Sequence, residues 1–460
     1  MERTLWLFYA VAALGFLPAL GFYYVGEEAI FPISSLEMHH AKSWLMQIMY
    51  GGDVRHNPLF NWLIILFSDV FGWPHVLVVT RALAILSTLG SSLVIFWLTM
   101  RIAGDRIFSV FSALVYLTLS DVALYHGWLA YVDPLFSFFV FSSIACLWVA
   151  AEEASLAWLF VSVIAVSLAF LSKAFTAYVF FGLAALVLLA KRRQRSFLLA
   201  VPSLFLGAIA LIFPFWWLSI LPSQGQGGRM LSEVGSKLVV PGVGAYFSQL
   251  LGFPLEVMLR MAPIAALVLY LFLRGRAVRE GDGRFMMLFW IGLVNFLPYW
   301  LSPQSGIRYI MPLYPFAALA FSRLIRNCGS EAMELALRVL GVFLAFKLVF
   351  MLFLFPWYQS HYRGENYLVT AKEMMRETAG FPLYTADVSA SGLSVTGHLD
   401  VLRLPAAPLT YPPGKWDSGF AISYAENPAL GKTWKAFKLG GDRIFLLCRG
   451  GACKNQGFPR

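Results

Sequence analysis

The chain reads as an all-α polytopic membrane protein with a small α/β domain at its C-terminal end. Three observations predict this. Of its 460 residues, 59% are hydrophobic and only 13% are charged, whereas a soluble domain carries roughly a quarter charged residues. Long apolar runs recur up to about residue 356, separated by short clusters of arginine and lysine. From Gln359 onward the pattern turns mixed and polar, and about a hundred residues suffice for a small domain.

About eleven spans follow, at 5–25, 76–100, 107–124, 134–150, 156–171, 174–190, 197–221, 255–273, 285–301, 309–323 and 334–356. The first run, Leu5 to Val25, is long enough to span and lacks a small-residue cleavage site, so it reads as a helix and not a cleaved signal. Alternate loops hold Arg101 and Arg106, then Lys191, Arg192, Arg193 and Arg195, then Arg274, Arg276, Arg279 and Arg284, then Arg323 and Arg326. Positive loops stay in the cytoplasm, so the N-terminus is inside. The loops 26–75, 222–254 and 302–308 and the tail 357–460 face the other side. The loop at 151–155, with Glu152 and Glu153, breaks the pattern.

Residues 1–356 thus form a transmembrane domain and 357–460 a soluble one. The net charge of +10 is explained mostly by these topology-setting loops, which excludes nucleic acid as a partner. In the tail, "YLVTAKEMMRETA" is helix-like, while "FPLYTA" and "DRIFLLCRG" are strand-like. Cys448 and Cys453 flank a Gly-Gly turn, and on an extracytoplasmic face they suit a short-loop disulfide. No internal repeat suggests the inverted halves of a transporter.

Several polar residues lie where lipid makes polarity expensive. Glu27 and Glu28 stand side by side at the mouth of the first span. The stretches "AIFPISSLEMHHAKSWLMQIMYGG" and "PLFNWLIILFSDVFG" read as two interfacial helices, the first with Glu37, His40 and Lys42 on its polar face. Asp133-Pro134 is a natural helix start at the fourth span. Lys173 sits between two apolar runs too closely spaced for a solvated loop, and an ammonium at that depth usually has an anionic partner. Arg81 lies about two turns inside the second span, and Arg308 stands at the outer end of the tenth. Cations within reach of lipid suit a phosphate whose tail lies in the bilayer, and a carboxylate there can accept a proton from an incoming hydroxyl or amine.

In this order the motifs resemble the polytopic glycosyltransferases of the GT-C fold, specifically the protein O-mannosyltransferase and lipid A aminoarabinose transferase group. Those enzymes carry an Asp-Glu pair after the first span and a Glu-Met downstream; here stand Glu27-Glu28 and Glu37-Met38. Their Lys-Pro-Pro-Leu stretch running into Trp-Leu is matched at Pro58, Leu59, Trp62 and Leu63, followed by Phe71-Gly72 and by Arg81. Asp133, the "SKA" around Lys173 and the Tyr309-Ile310-Met311-Pro312 run match later motifs. The resemblance is collinear from about residue 20 to 320.

It implies a polyprenyl-phosphate-linked sugar as donor and inverting transfer on the periplasmic face of a bacterial inner membrane. The acceptor would be an extracytoplasmic glycan or glycolipid such as lipid A. Glu27 would be the catalytic base and Glu28 its neighbour, orienting or sharing the site. Lys173, Arg81, Arg308, Arg55 and His56 would lie near the donor phosphate, with Asp133, Tyr309 and Glu37 supporting. Three departures mark a distinct subgroup: Glu27 for Asp, Ala174 for Gly, and His56, preceded by Arg55, for Lys. A neutral imidazole, with an ordinary pKa of about 6.5, is a weaker phosphate ligand than an ammonium. Some GT-C relatives use a divalent ion, and Glu27, Glu28, Asp121, His126 and Asp133 supply ligand types for magnesium or manganese without diagnostic spacing. The glycine-rich 222–254 loop, with Arg229 and Lys237, would roof the slot. A lipid-linked sugar flippase, a protein O-glycosyltransferase and a membrane scaffold are the competing functions; the flippase would tolerate Glu27→Gln.

Overall fold

The computed structural model describes residues 2–53, 56–221, 242–276, 281–363 and 366–454. A helix forms at the place of every predicted span. Among the described residues six are long and apolar enough to cross a bilayer: Glu2–Gly21, Trp73–Ala103, Asp133–Glu153, Val201–Ser219, Gly283–Leu301 and Ser330–His361. The bent pair Val243–Arg260 and Ile264–Leu273 would make a seventh. Helices dominate because a backbone in lipid must satisfy its own hydrogen bonds.

Four helices depart from a simple span. Arg106–Leu117 has 12 residues, and every one from Phe108 to Leu117 is buried. At 1.5 Å per residue it is about 18 Å long, and it serves as the core of the bundle. Leu156–Ser172 and Thr176–Leu189 are shorter apolar helices, joined by the tight Lys173 turn. The tenth stretch opens as a 3-10 segment, Ile307–Leu313, before the helix Tyr314–Asn327: Pro312 has no N–H to bond back to Arg308 in an α-helical pattern, whereas Pro315 suits the first turn of the helix.

The expected loop 222–254 is corrected in part. A helix runs from Val243 to Arg260, and it meets Ile264–Leu273 at 108°. Pro263 begins the second piece and cannot donate backward. The carbonyls this leaves are met from outside: Ser120 donates its N–H to Ala262 and its hydroxyl to Leu259 and Arg260, at 2.8, 3.1 and 2.9 Å. Arg229 and Lys237 lie outside the described residues.

One end of the bundle gathers the positive-loop residues with their partners. Arg101 holds Glu153 through two bonds of 2.6 and 2.8 Å, Gln194 reaches Glu152, and Arg326 meets Asp105 at 2.8 Å. The acids at 151–155 therefore pair with basic and polar groups of neighbouring loops. Within the bundle, Lys347 donates to the carbonyl of Ala12 at 2.8 Å and lies over the Phe16 ring. It caps the end of the first helix where Pro18 turns the chain into a 3-10 segment.

In the first loop, helices occupy both expected places, Ile30–Ala41 and Leu59–Phe71. The first is buried throughout Phe31–Met38, held between the second helix and the tail, so it does not lie free on a lipid surface. Asn61 donates to Ser34 and Ser35 at 2.9 and 2.8 Å, and Gln47 to Ser34 at 3.1 Å, locking the helices together. Glu37 serves the turn that follows. Its carboxylate accepts the N–H groups of Tyr50 and Gly51 at 2.5 and 3.0 Å, closing the hairpin of β1 (Ile48–Met49) and β2 (Gly52–Asp53).

The tail folds as a four-stranded sheet. Its strands are β3 (Leu383–Thr385), β4 (Gly419–Ser423), β5 (Lys432–Leu439) and β6 (Asp442–Arg449), in the order β3-β4-β6-β5. The β3–β4 pair is parallel and the others antiparallel. Helices Tyr367–Glu377 and Ala390–Leu402 pack against each other, and the Cys448–Cys453 disulfide is present. The first loop shares this domain's hydrophobic core: Tyr24, Ala29, Ile33 and Tyr50 belong to one cluster with Leu393, Leu399, Phe420 and Ile444. The Tyr50 hydroxyl donates to Asp387 O at 3.3 Å, and Tyr24 packs edge-on to His398 at 5.1 Å.

Asp400 sits at this junction. Burial drives its carboxyl up to about 8, the Leu409 N–H opposes this, and nearby Glu37 pushes it further up. An unfolded aspartate ionises near 3.9, so between about pH 4 and 8 the folded chain binds more protons and stability falls as pH rises. His398, lowered to about 4 by burial, acts in the opposite sense only below about pH 6.5. Thermal melts of the full chain should therefore drop from pH 6.5 to 8, and Asp400→Asn should flatten that slope. An equal slope in the variant would rule out Asp400 as its source.

Candidate active site

The acid pair sits on a turn made possible by Gly26. Its φ is +58°, and a Cβ there would come within 2.9 Å of the Tyr131 hydroxyl. That hydroxyl in turn accepts the Glu27 N–H at 3.1 Å, so the turn and the loop before the Asp133–Glu153 helix fix each other.

The turn sends the two acids to opposite fates. Glu28 is fully buried. One carboxylate oxygen accepts Arg81 Nε at 3.0 Å and the Ala130 N–H at 2.7 Å; the other accepts Arg81 Nη2 at 2.5 Å and the Val25 N–H at 2.7 Å. Arg81, also fully buried, donates further to the carbonyls of Ala19, Phe22 and Tyr23, each at 2.7 Å. A guanidinium has five N–H donors, and all five are taken. Arg81 is therefore not placed to bind a donor phosphate, and Glu28 is not placed to take a proton; together they tie three segments of chain. Glu27 is exposed.

A second group faces Glu27. Asp133 forms an ion pair with Lys173, although the sequence suggested a helix-capping role. Val132 occupies the cap position, without a side-chain cap bond, and the Asp133 carboxylate points to the ammonium instead. Lys173, at the end of the Leu156–Ser172 helix, also lies over the rings of Phe136 and Tyr309 at 5.6 and 5.0 Å. Arg308 covers Tyr309 at 5.7 Å. Partial desolvation works against the Arg308 charge, yet Asp133, Tyr309 and Glu27 hold its pKa above the usual value. Glu27, Arg308, Tyr309, Asp133 and Lys173 thus form one electrostatic cluster at the end of the bundle opposite the Arg101–Glu153 pair.

Other expected residues lie at its edges or elsewhere. His56 stacks on Phe31 at 6.3 Å. Its neighbour Asn57 donates to the carbonyls of Lys173 and Phe170 at 3.4 and 2.8 Å, so the chain at His56 is tied to the Lys173 turn. Arg55 lies outside the described residues. Glu37 belongs to the junction with the tail. Asp121 accepts from His126 and Tyr314 on one oxygen and from Arg260 on the other, each at 2.8 Å. Among the described residues no three His, Cys, Asp or Glu side chains converge to hold a metal. Sequence reasoning missed Tyr131, Ala130, Asn57 and Arg260. Only Tyr131, in "AYVDP" beside Asp133, carried a readable signal.

Residues 55–218 match the family described as dolichyl-phosphate-mannose-protein mannosyltransferase. Over the whole chain the structure superposes on ArnT from Cupriavidus metallidurans bound to undecaprenyl phosphate. The TM-score is 0.72 at 15% identity, covering 99% of each chain. The fold is that of ArnT, a GT-C fold. The apo form of the same ArnT matches with a TM-score of 0.69 at 16% identity, over 96% of this chain and 97% of that one. The undecaprenyl phosphate-alpha-4-amino-4-deoxy-L-arabinose arabinosyl transferase of Edwardsiella ictaluri (strain 93-146) is 26% identical over 329 residues. These are 69% of this chain, which spans 58% of the length of that relative.

The two acids should separate cleanly in a stability assay. Breaking a buried ion pair costs about 3–5 kcal/mol, so Glu28→Gln or Arg81→Met should lower the melting temperature of the purified chain strongly. Glu27→Gln should leave it unchanged. Equal melting of the Glu28 and Glu27 variants would refute the division.

Proposed function

We propose that the chain is an inverting glycosyltransferase that moves a sugar from an undecaprenyl-type phosphate to an acceptor outside the cytoplasm. The observation that carries the reading is the asymmetry of the acid pair: Glu28 is saturated, whereas Glu27 presents its carboxylate beside Arg308 and the Lys173–Asp133 pair. The donor class follows the ArnT likeness, since ArnT of C. metallidurans was crystallised with undecaprenyl phosphate. The Edwardsiella relative is named for an aminoarabinose donor; the sugar here is not copied from it, because Glu27, His56 and Ala174 depart from that subgroup. The acceptor is an anionic glycan or glycolipid of the lipid A kind.

In this mechanism the Glu27 carboxylate takes the proton of the acceptor hydroxyl or amine as the acceptor oxygen or nitrogen attacks the anomeric carbon. The bond from that carbon to the phosphate oxygen breaks with inversion, and the lipid phosphate leaves with the electron pair. Arg308 and Lys173 stabilise the charge that develops on it. An apolar groove of about 290 Å³, lined by Met258, Met261, Phe296, Ile310 and Phe316, begins on the 3-10 segment that carries Arg308. It suits the start of a prenyl tail. The reading places the chain in a bacterial inner membrane with eleven passes, and the cluster, the first loop and the tail on the periplasmic side. Leu66, Phe67, Val70 and Phe71 are exposed on the Leu59–Phe71 helix, which suits an interfacial position for it.

Polyprenyl phosphate release from supplied lipid-linked sugars should fall roughly 10²–10⁴-fold in Glu27→Gln and about 10²–10³-fold in Arg308→Ala, with donor still bound by Glu27→Gln. Release by Glu27→Gln at the parent rate would sink the assignment of the base. The two cations supply the positive charge that magnesium or manganese would supply elsewhere, so release should persist in EDTA. Loss restored by either ion would place a metal in the reaction.

A further inference from the structure

We infer that the C-terminal domain carries a second binding site, a cleft along β5 that holds a phosphate-bearing saccharide. The cleft has a volume of about 890 Å³, within the size range of small-molecule sites, and it is remote in sequence from the acid pair. Its purpose, retaining an acceptor glycan near the transfer site, rests on the transferase reading; its existence does not.

Three features built into the fold carry the inference. The first is an aromatic platform. β5 is an edge strand, paired only with β6, and its register slips between Thr433 and Lys435. A bulge re-aims the side chain at the extra position, here Trp434, which lines the cleft. The indole is held on two sides: Nε1 donates to Glu377 at 3.3 Å, and the ring meets Phe420 edge-on at 6.0 Å. A half-buried, immobilised indole packs against the apolar C–H face of a pyranose at little entropic cost.

The second is charge. Lys432, Lys435, Arg449 and Lys454 line the cleft, against Glu377 as its acid. Glu377 is already engaged by Lys435 at 3.0 Å, and Lys435 also meets Glu373 at 2.6 Å. Lys432, Arg449 and Lys454 are exposed, so the cleft is net positive and selects an anion. Arg449 is located by its stacking over Trp416 at 5.4 Å and also lines the cleft, and a planar guanidinium suits phosphate.

The third is a rigid floor. The Cys448–Cys453 disulfide closes a turn of sequence separation 5 under the cleft. Within it Gly450 has a φ of +60°, and a Cβ there would come within 2.0 Å of the Asp417 carbonyl oxygen. The tail's own fold does not need so tight a closure, since the sheet already pairs β6 on both sides. It does fix the relative positions of Arg449, Lys454 and the strand that bears Trp434.

The test is calorimetric titration of the full chain carrying Glu27→Gln, in nanodiscs of neutral phosphatidylcholine without donor. The probes are a phosphorylated glucosamine disaccharide, its dephosphorylated form and inorganic phosphate. The phosphorylated disaccharide should bind at least tenfold more tightly than either other probe. Lys432→Ala with Lys454→Ala should weaken it at least tenfold, and Trp434→Ala should weaken it while leaving inorganic phosphate unaffected. The two lysines are exposed, so that arm decides the matter even if Trp434→Ala unfolds. No binding, equal binding of the dephosphorylated sugar, or insensitivity to the lysine pair would overturn the proposal. So would loss of sugar binding in a second set of discs that carry phosphatidylglycerol, which would make the cleft a lipid-headgroup site. Because no donor is present, failure here leaves the transferase reading standing, and failure of transfer leaves this result standing.

Discussion

Arg81 and Glu28 meet in the interior, both side chains closed off from the surface. Two opposite charges removed from solvent hold together only if every donor and acceptor is matched, and here the match is complete: five guanidinium donors, two carboxylate oxygens, three carbonyls and two further N–H groups. The carbonyls come from the break after the first helix, the N–H groups from Val25 and from Ala130, and the guanidinium from the second span. The pair therefore sets where the first helix stops, how the acid turn emerges and how the loop before Asp133 lies. The acid turn and the loop before Asp133 inherit their positions from that node.

The same loop organises the rest. Between Asp121 and Asp133 the chain places His126 and Asp121 against Tyr314 and Arg260, gives Ala130 to Glu28 and Tyr131 to the Glu27 turn, and ends in the ion pair with Lys173. Charges that would be costly singly in a low-dielectric setting are bound into linked pairs. Glu27 and Arg308 remain at the rim, where an incoming molecule can reach them. The geometry separates groups that hold the scaffold from groups left exposed at the rim.

Much of this architecture could be read from the order of residues. The apolar runs predict a helix at each place, and the tail's "DRIFLLCRG" and "FPLYTA" become β6 and β3. β4 and β5 escape because "GFAIS" is short and "KTWKAFKL" spaces its lysines three apart across a register slip, which hides the period of two. Of the site, adjacency was legible and allocation was not. Spacing says that Arg81 lies inside a span and that Glu27 and Glu28 are neighbours; it does not say which carboxylate the arginine will saturate. Lys173 was expected to need an anion, but its partner, Asp133, lies 40 residues away and local pattern pointed to a helix cap. Glu37 matched a motif position, yet its carboxylate is spent on the Tyr50 and Gly51 N–H groups of the first-loop hairpin, beside Asp400 of the tail.

The shared core between the first loop and the tail has a consequence for how the molecule comes into being. Tyr24 and Ala29, on either side of the acid turn, pack near Gly397 and His398, roughly 370 residues later in the chain. At translation rates of about 5–20 residues per second, the first loop waits some tens of seconds for the surface that completes it. During that interval the acid turn stands on a half-built support while the remaining spans enter the bilayer. The nascent chain is thus held short of its shared core until synthesis is nearly over, and truncated products never gain the Ala390–Leu402 helix that packs on the first loop.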